Sequence, residues 1–112
     1  MLAPNANGYV FVETKSGAIH CLLDTNHVAC EAAFTNAPTV SGERAHDFGF
    51  TRDGNIQWVI GNLGLLEGRY TLDYQTYQAL GWTIAADQSG TTFTNNGTHR
   101  GVFVSIDDVR TV

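Results

Sequence analysis

Long apolar runs, basic clusters and all but two cysteines are missing from this 112-residue chain, and each absence removes a class of protein. No stretch approaches the ~20 consecutive apolar residues of a membrane-spanning helix, so no membrane span is expected. Six basic residues stand against eleven acidic ones, giving a formal charge of −5 and a pI near 5.1. The six, Lys15, Arg44, Arg52, Arg69, Arg100 and Arg110, are scattered and form no stripe. Nucleic acid and anionic membrane surfaces are therefore poor partners. Two prolines against twelve glycines, with many Thr, Asn and Val residues, favour short strands and tight turns over helices. The start, Met1-Leu2-Ala3-Pro4-Asn5, has neither the basic nor the apolar region of a signal peptide.

What is present begins with Cys21 and Cys30. Between them Leu22-Leu23-Asp24-Thr25-Asn26-His27-Val28-Ala29 reads as strand, turn, strand. With Thr25 and Asn26 as the turn, Asp24 pairs with His27, Leu22 with Ala29 and Cys21 with Cys30. Pairs alternate outward from a hydrogen-bonded Asp24/His27, so the cysteines fall on a non-hydrogen-bonded pair, where Cα atoms are close enough for a bridge. One structural disulfide is expected, and with it an oxidising compartment, extracellular or in the cell envelope. The alternatives are two reduced buried cysteines or a redox pair; a reactive pair usually occupies a Cys-x-x-Cys at a helix start, which this spacing is not. Export implies a signal or lipid anchor cut away before residue 1.

The remaining pattern is strand and turn. Tyr9 to Glu13 is a strand candidate, followed by a Lys15-Ser16-Gly17 turn. Thr35 to Arg44 reads as a loop. His46 to Thr51 places Phe48 and Phe50 on one face, and Arg52-Asp53-Gly54-Asn55 turns the chain into Ile56 to Ile60. The stretch 61–68 reads as a loop with inward leucines, its glycines matching neither a phosphate loop nor a dinucleotide fingerprint. Tyr70 to Leu80 fits a helical face (Tyr70, Tyr74, Tyr77) and a strand face (Tyr70, Leu72, Tyr74) equally. Trp82 to Ala86 and Thr91 to Thr94 flank an Asp-Gln-Ser-Gly turn, and Asn95 to Thr98 leads into Gly101 to Ile106. The reading is an all-β domain over 9–112 after a disordered tail at 1–8. About eight short strands form a small antiparallel β-sandwich or partly open barrel, with one disulfide hairpin and, on the helical-face reading, one short helical turn near 70–80.

The order of motifs resembles a family. Phe11…Ser16-Gly17-Ala18-Ile19-His20-Cys21 is similar to the F-x-S-P-S-G-N-I-x-C opening of small exported domains of actinobacteria, including mycobacteria. Gly81-Trp82-Thr83-Ile84…Gly90-Thr91-Thr92-Phe93-Thr94-Asn95…Thr98-His99-Arg100-Gly101 is similar to their W-x-C…G-x-x-C-x-N…T-G-H-G ending. Leu72 and Tyr74 match their L-P-Y-G segment. Ile84 and Phe93 stand where those domains have a second disulfide, and Arg100 interrupts their His-Gly. Such domains are mostly of unknown function, so the resemblance implies export and fold rather than activity.

Candidate chemistry is sparse. In the hairpin His20 and Asp24 share a face with His27 and Glu31, but register separates the two histidines by about 13–14 Å, too far for one ion. His20–Glu31 and His27–Asp24 read instead as cross-strand charge pairs, and no metal and no cofactor is expected. His46 and Asp47, as strand neighbours, point to opposite faces. Ser41 and Ser105 lack a nucleophile elbow. Asn96-Gly97-Thr98 is a formal glycosylation sequon. The protein is therefore expected to bind, not to catalyse. First comes an interaction module for a protein or envelope component, with Tyr70, Tyr74, Tyr77, Trp82, His99 and Arg100 as the patch. Second comes a carrier holding a small apolar ligand between the sheets against Phe48, Phe50, Phe93 and Phe103. Third is a hydrolase using His46 or His99 with a carboxylate. Oligomeric state is not legible.

Overall fold

A computed structural model describes residues 2–4, 8–35, 37–40, 42–59 and 70–112. Thirteen strands and no helix are found among them: β1 (Val10–Glu13), β2 (His20–Leu23), β3 (His27–Glu31), β4 (Thr39–Val40), β5 (Glu43–Arg44), β6 (Asp47–Thr51), β7 (Ile56–Val59), β8 (Tyr70–Thr71), β9 (Thr76–Ala79), β10 (Trp82–Asp87), β11 (Gly90–Asn95), β12 (Gly101–Val104) and β13 (Val109–Thr111). Six form one sheet in the order β7-β6-β3-β2-β1-β8, and five form a second in the order β13-β12-β11-β10-β9. Every ladder is antiparallel except β1 with β8. The two sheets make the sandwich that the strand pattern predicts.

The disulfide sits where register requires. Cys21 lies directly opposite Cys30 on β2 and β3, the central strands of the first sheet, with Cα atoms 4.1 Å apart. The turn before it uses its own side chain. Asp24 N–H donates to His27 O (3.0 Å), but Asn26 N–H and His27 N–H both donate to Asp24 Oδ1 (2.7 Å each). That leaves the Asp24 carbonyl free to accept the Trp82 indole N–H at 2.9 Å, a bond from one sheet to the other. The Trp82 and Phe50 rings meet beside it edge to face, 6.0 Å between centroids.

Alternation builds the core. Val10, Val12, Cys21, Leu23, Val28, Cys30, Phe48 and Phe50 point inward from the first sheet, and Trp82, Ile84, Phe93, Val102 and Val104 from the second. Ile84 and Phe93 are directly opposite each other on β10 and β11. Phe103 lies on the outer face, where the Arg110 guanidinium covers its ring at 4.3 Å. The four phenylalanines expected to line one space therefore do not: three are core and one is outside, because Phe103 falls one residue out of phase with the inward Val102 and Val104.

Several boundaries differ from the sequence reading. The Thr35–Arg44 loop contains the small β4–β5 ladder, and β13 follows a turn at 105–108 that the sequence did not announce. Tyr70 to Leu80 resolves as strand: β8, a turn, then β9, which joins β10 through Leu80 and Gly81. Both residues have positive φ (51° and 85°), the primed two-residue hairpin that suits strand twist. Leu80 pays strain in that conformation and packs its side chain on the core. Within the tail expected to be disordered, Leu2 N–H donates to Gln78 O (2.8 Å) on the edge of β9. The loop expected at 61–68 and the end of the strand expected to reach Ile60 lie outside the described residues.

Candidate binding pocket

Strand β10 runs from Trp82 at one end of the sandwich to Asp87 at the other, about 17 Å at the usual rise. At the Trp82 end lie the turns at 24–26, 52–55 and 96–100: Arg52 N–H donates to Asn26 O and the Thr98 hydroxyl to Arg52 O. At the Asp87 end the chain leaves an open pocket of about 190 Å³.

Four separate segments build that pocket. Ile19, Leu72, Ala86, Val104 and Ile106 give it an apolar floor: Ala86 and Val104 on β10 and β12, the other three just beyond the ends of β2, β8 and β12. Lys15, Ser16, Tyr74, Asp87, Gln88, Ser89 and Ser105 give it a polar rim. The rim loops are held by their own hydrogen bonds. Asp87 Oδ1 accepts from Ser89 N–H (2.7 Å) and Gly90 N–H (3.1 Å), and Thr14 N–H bonds Ile19 O (3.0 Å). Gly90 is required: a Cβ there would lie 2.7 Å from the Val104 carbonyl oxygen.

Tyr74 is the exposed aromatic of the rim, 48% accessible. The Lys15 ammonium lies 4.5 Å above its ring and 3.0 Å from Asp73 Oδ1. That hydrogen-bonded pair holds the Lys15 ammonium above its ordinary pKa and the Asp73 carboxyl below its own. The Asp73 carboxylate also accepts the Tyr74 N–H (2.8 Å). Tyr77 sets the turn from beneath, its phenol oxygen accepting Asp73 N–H and the Gln75 side-chain amide, both at 2.9 Å.

The expected patch is thus divided. Tyr74 and Tyr77 belong to the pocket end. Tyr70 is exposed on β8, its hydroxyl donating to Ala3 O at 3.2 Å. His99, at φ 62°, and Arg100, whose stem lies across Gly54, belong to the opposite end. Trp82 is 0% accessible with its N–H satisfied, so it is a core residue. Its place beside the tyrosines in sequence does not survive folding, because β10 turns it inward.

Each hairpin histidine lies beside a carboxylate. His27 Nδ1 is 3.3 Å from Asp24 Oδ1, as expected, and His20, opposite Glu31 in register, has its Nε2 3.5 Å from Glu13 Oε2 on β1. No group of three or more His, Cys, Asp or Glu side chains that could hold a metal ion exists among the described residues. No described helix is long and apolar enough to cross a membrane.

Among the described residues, one ionisable group departs strongly from its ordinary state. Asp47, 4% accessible, lies directly opposite Glu31 on β3, and its Oδ1 has no hydrogen-bond partner among the described residues. Burial, then the Glu31 charge, pushes its carboxyl up to about 6, with His46 opposing. Sequence reasoning placed Asp47 on a strand but had no signal for its burial.

Comparison with known protein families, curated proteins and solved structures finds no match.

Proposed function

We propose that this protein is an exported binding module, working outside the cell or in its envelope, that receives a small apolar group bearing a polar end. The observation that carries this is the pocket at the Asp87 end: a floor of aliphatic side chains under a rim of hydroxyls, an amide and a half-exposed tyrosine. Such a site takes apolar surface out of water while leaving donors and acceptors to orient the ligand. The occupant is the tail or ring of a small molecule, or one side chain of a partner protein or envelope component. Export is supported by the Cys21–Cys30 bridge. The resemblance to actinobacterial exported domains agrees with it, since Ile84 and Phe93, standing where those domains have a second bridge, are cross-strand partners.

Filling the pocket tests the reading. Ala86, inward on β10 at the pocket floor, has room for a larger side chain. Benzyl alcohol, titrated in native mass spectrometry against protein secreted through an oxidising compartment, is expected to add to the wild type and to leave on denaturation. Ala86→Trp is expected to lose that adduct at least about ten-fold, the loss of some 1.4 kcal/mol of contact, while unfolding within a few degrees of wild type. Equal adduct formation by the two proteins would place the ligand elsewhere.

A further inference from the structure

A second cavity, of about 130 Å³, is bounded by Trp58 of edge strand β7 in the first sheet and Val109 of edge strand β13 in the second. Its walls also include Phe34 and Asp108. The Phe34 and Trp58 rings stand at 83° with centroids 5.5 Å apart, and Phe48 backs both at 5.7 and 5.4 Å. Phe34 and Phe48 are buried whereas Trp58 is partly exposed, so the indole is the reachable face of a rigid aromatic corner. Asp108 lines the same cavity, and its carboxylate is paired with Arg110.

A reachable indole face beside an acidic residue favours one ligand chemistry. Ring quadrupoles attract positive charge, and the indole face does so best. A bulky alkylated cation, weakly hydrated, gains from the rings without the desolvation cost of a bare ammonium. The chain itself, at −5, draws cations to its surface. The same edge already shows the pairing: Arg110 binds the Asp108 carboxylate while its guanidinium rests on Phe103, outside the cavity.

We infer that this edge cavity binds a small quaternary ammonium group, seated against Trp58 with Asp108 as counter-charge and Arg110 as an internal competitor. The chemistry is common to free choline-like cations and to phosphocholine headgroups of a lipid surface. The site is separate from the pocket at the Asp87 end, although Ile106 touches both.

Trp82 is fully buried, so a change in tryptophan emission on ligand addition reports Trp58. Titration with tetramethylammonium chloride at constant ionic strength is expected to give a saturable change. Asp108→Asn is expected to weaken it about five-fold, and Arg110→Ala, which frees the carboxylate, to strengthen it about three-fold. The neutral isostere 3,3-dimethyl-1-butanol is expected to give no saturable response. No saturation in either the wild type or Arg110→Ala, or equal binding of the neutral alcohol, would overturn the inference. Choline in solution and phosphatidylcholine vesicles then separate the sources: co-sedimentation with vesicles, lost in Asp108→Asn, assigns the headgroup, and choline binding without vesicle binding assigns the free cation.

Discussion

Replacing Cys21 and Cys30 together by alanine is expected to cost about 4 kcal/mol and to lower the unfolding temperature by about 15–20 °C. The bridge closes a short loop, nine residues apart in sequence, which by chain entropy is worth about 2.5–3 kcal/mol. The remainder comes from packing, since both cysteines are buried and truncation leaves a void between central strands. Position makes the effect global. Strand β2 pairs with β1 and β3 with β6, so the staple sits in the middle of the sheet, not at an edge. Thermal unfolding of wild type, dithiothreitol-reduced wild type and the double variant measures it. The reduced protein is expected to fall most of the way, the variant slightly further for its cavity. A loss under about 1 kcal/mol would mean that hairpin register and the Trp82–Asp24 bond hold the sandwich without the bridge.

Asp47→Asn is expected to stabilise the protein by about 3 kcal/mol at pH 7.5 and to leave it nearly unchanged near pH 4. The folded Asp47 carboxyl titrates at about 6, whereas the unfolded one has an ordinary value of 3.8. Between these values the folded chain keeps a proton that the unfolded chain has released. The contribution is therefore whole below the lower value and disappears as pH rises through the upper one. Above it the protein carries a buried charge beside Glu31 with no bond to Oδ1 from any described residue, a charge that the neutral amide removes. Urea unfolding of both proteins across pH 3.5 to 8, compared as a difference so that shared carboxylates cancel, gives the curve directly. Parallel pH profiles for the two would show that Asp47 is solvated and ordinary.

The bridge and Asp47 also mark how far the sequence could be read. The bridge was legible because hairpin pairing is arithmetic: once Thr25 and Asn26 turn, Cys21 must face Cys30. Phe48 and Phe50 were legible through two-residue alternation, and Asp53-Gly54 and Asp87…Gly90 through turn chemistry. Tyr70–Leu80 was not, because β8 and β9 are too short to establish a period and Leu80-Gly81 is an unusual pair for a primed turn. β13 has only partly buried and exposed residues, so nothing in Val109–Thr111 stands out from a loop. The pocket was the least legible part. Its residues come from four stretches, and serines, threonines and alanines in turns carry no motif. Aromatic counting drew attention to Trp82, which folding buries, and the turn after Asn96-Gly97 to His99 and Arg100, which folding sends to the far end. Tyr74 alone kept a place at the site as an exposed ring.

The direct test of the central claim is a nitrogen-15 amide correlation spectrum of the oxidised protein titrated with benzyl alcohol. The account predicts saturable shifts confined to residues 14–19, 72–74, 86–91 and 104–106, the four stretches that converge on the pocket. Shifts centred on residues 52–54 and 98–100 at the other end of the sandwich, or no saturable shift anywhere, would contradict it.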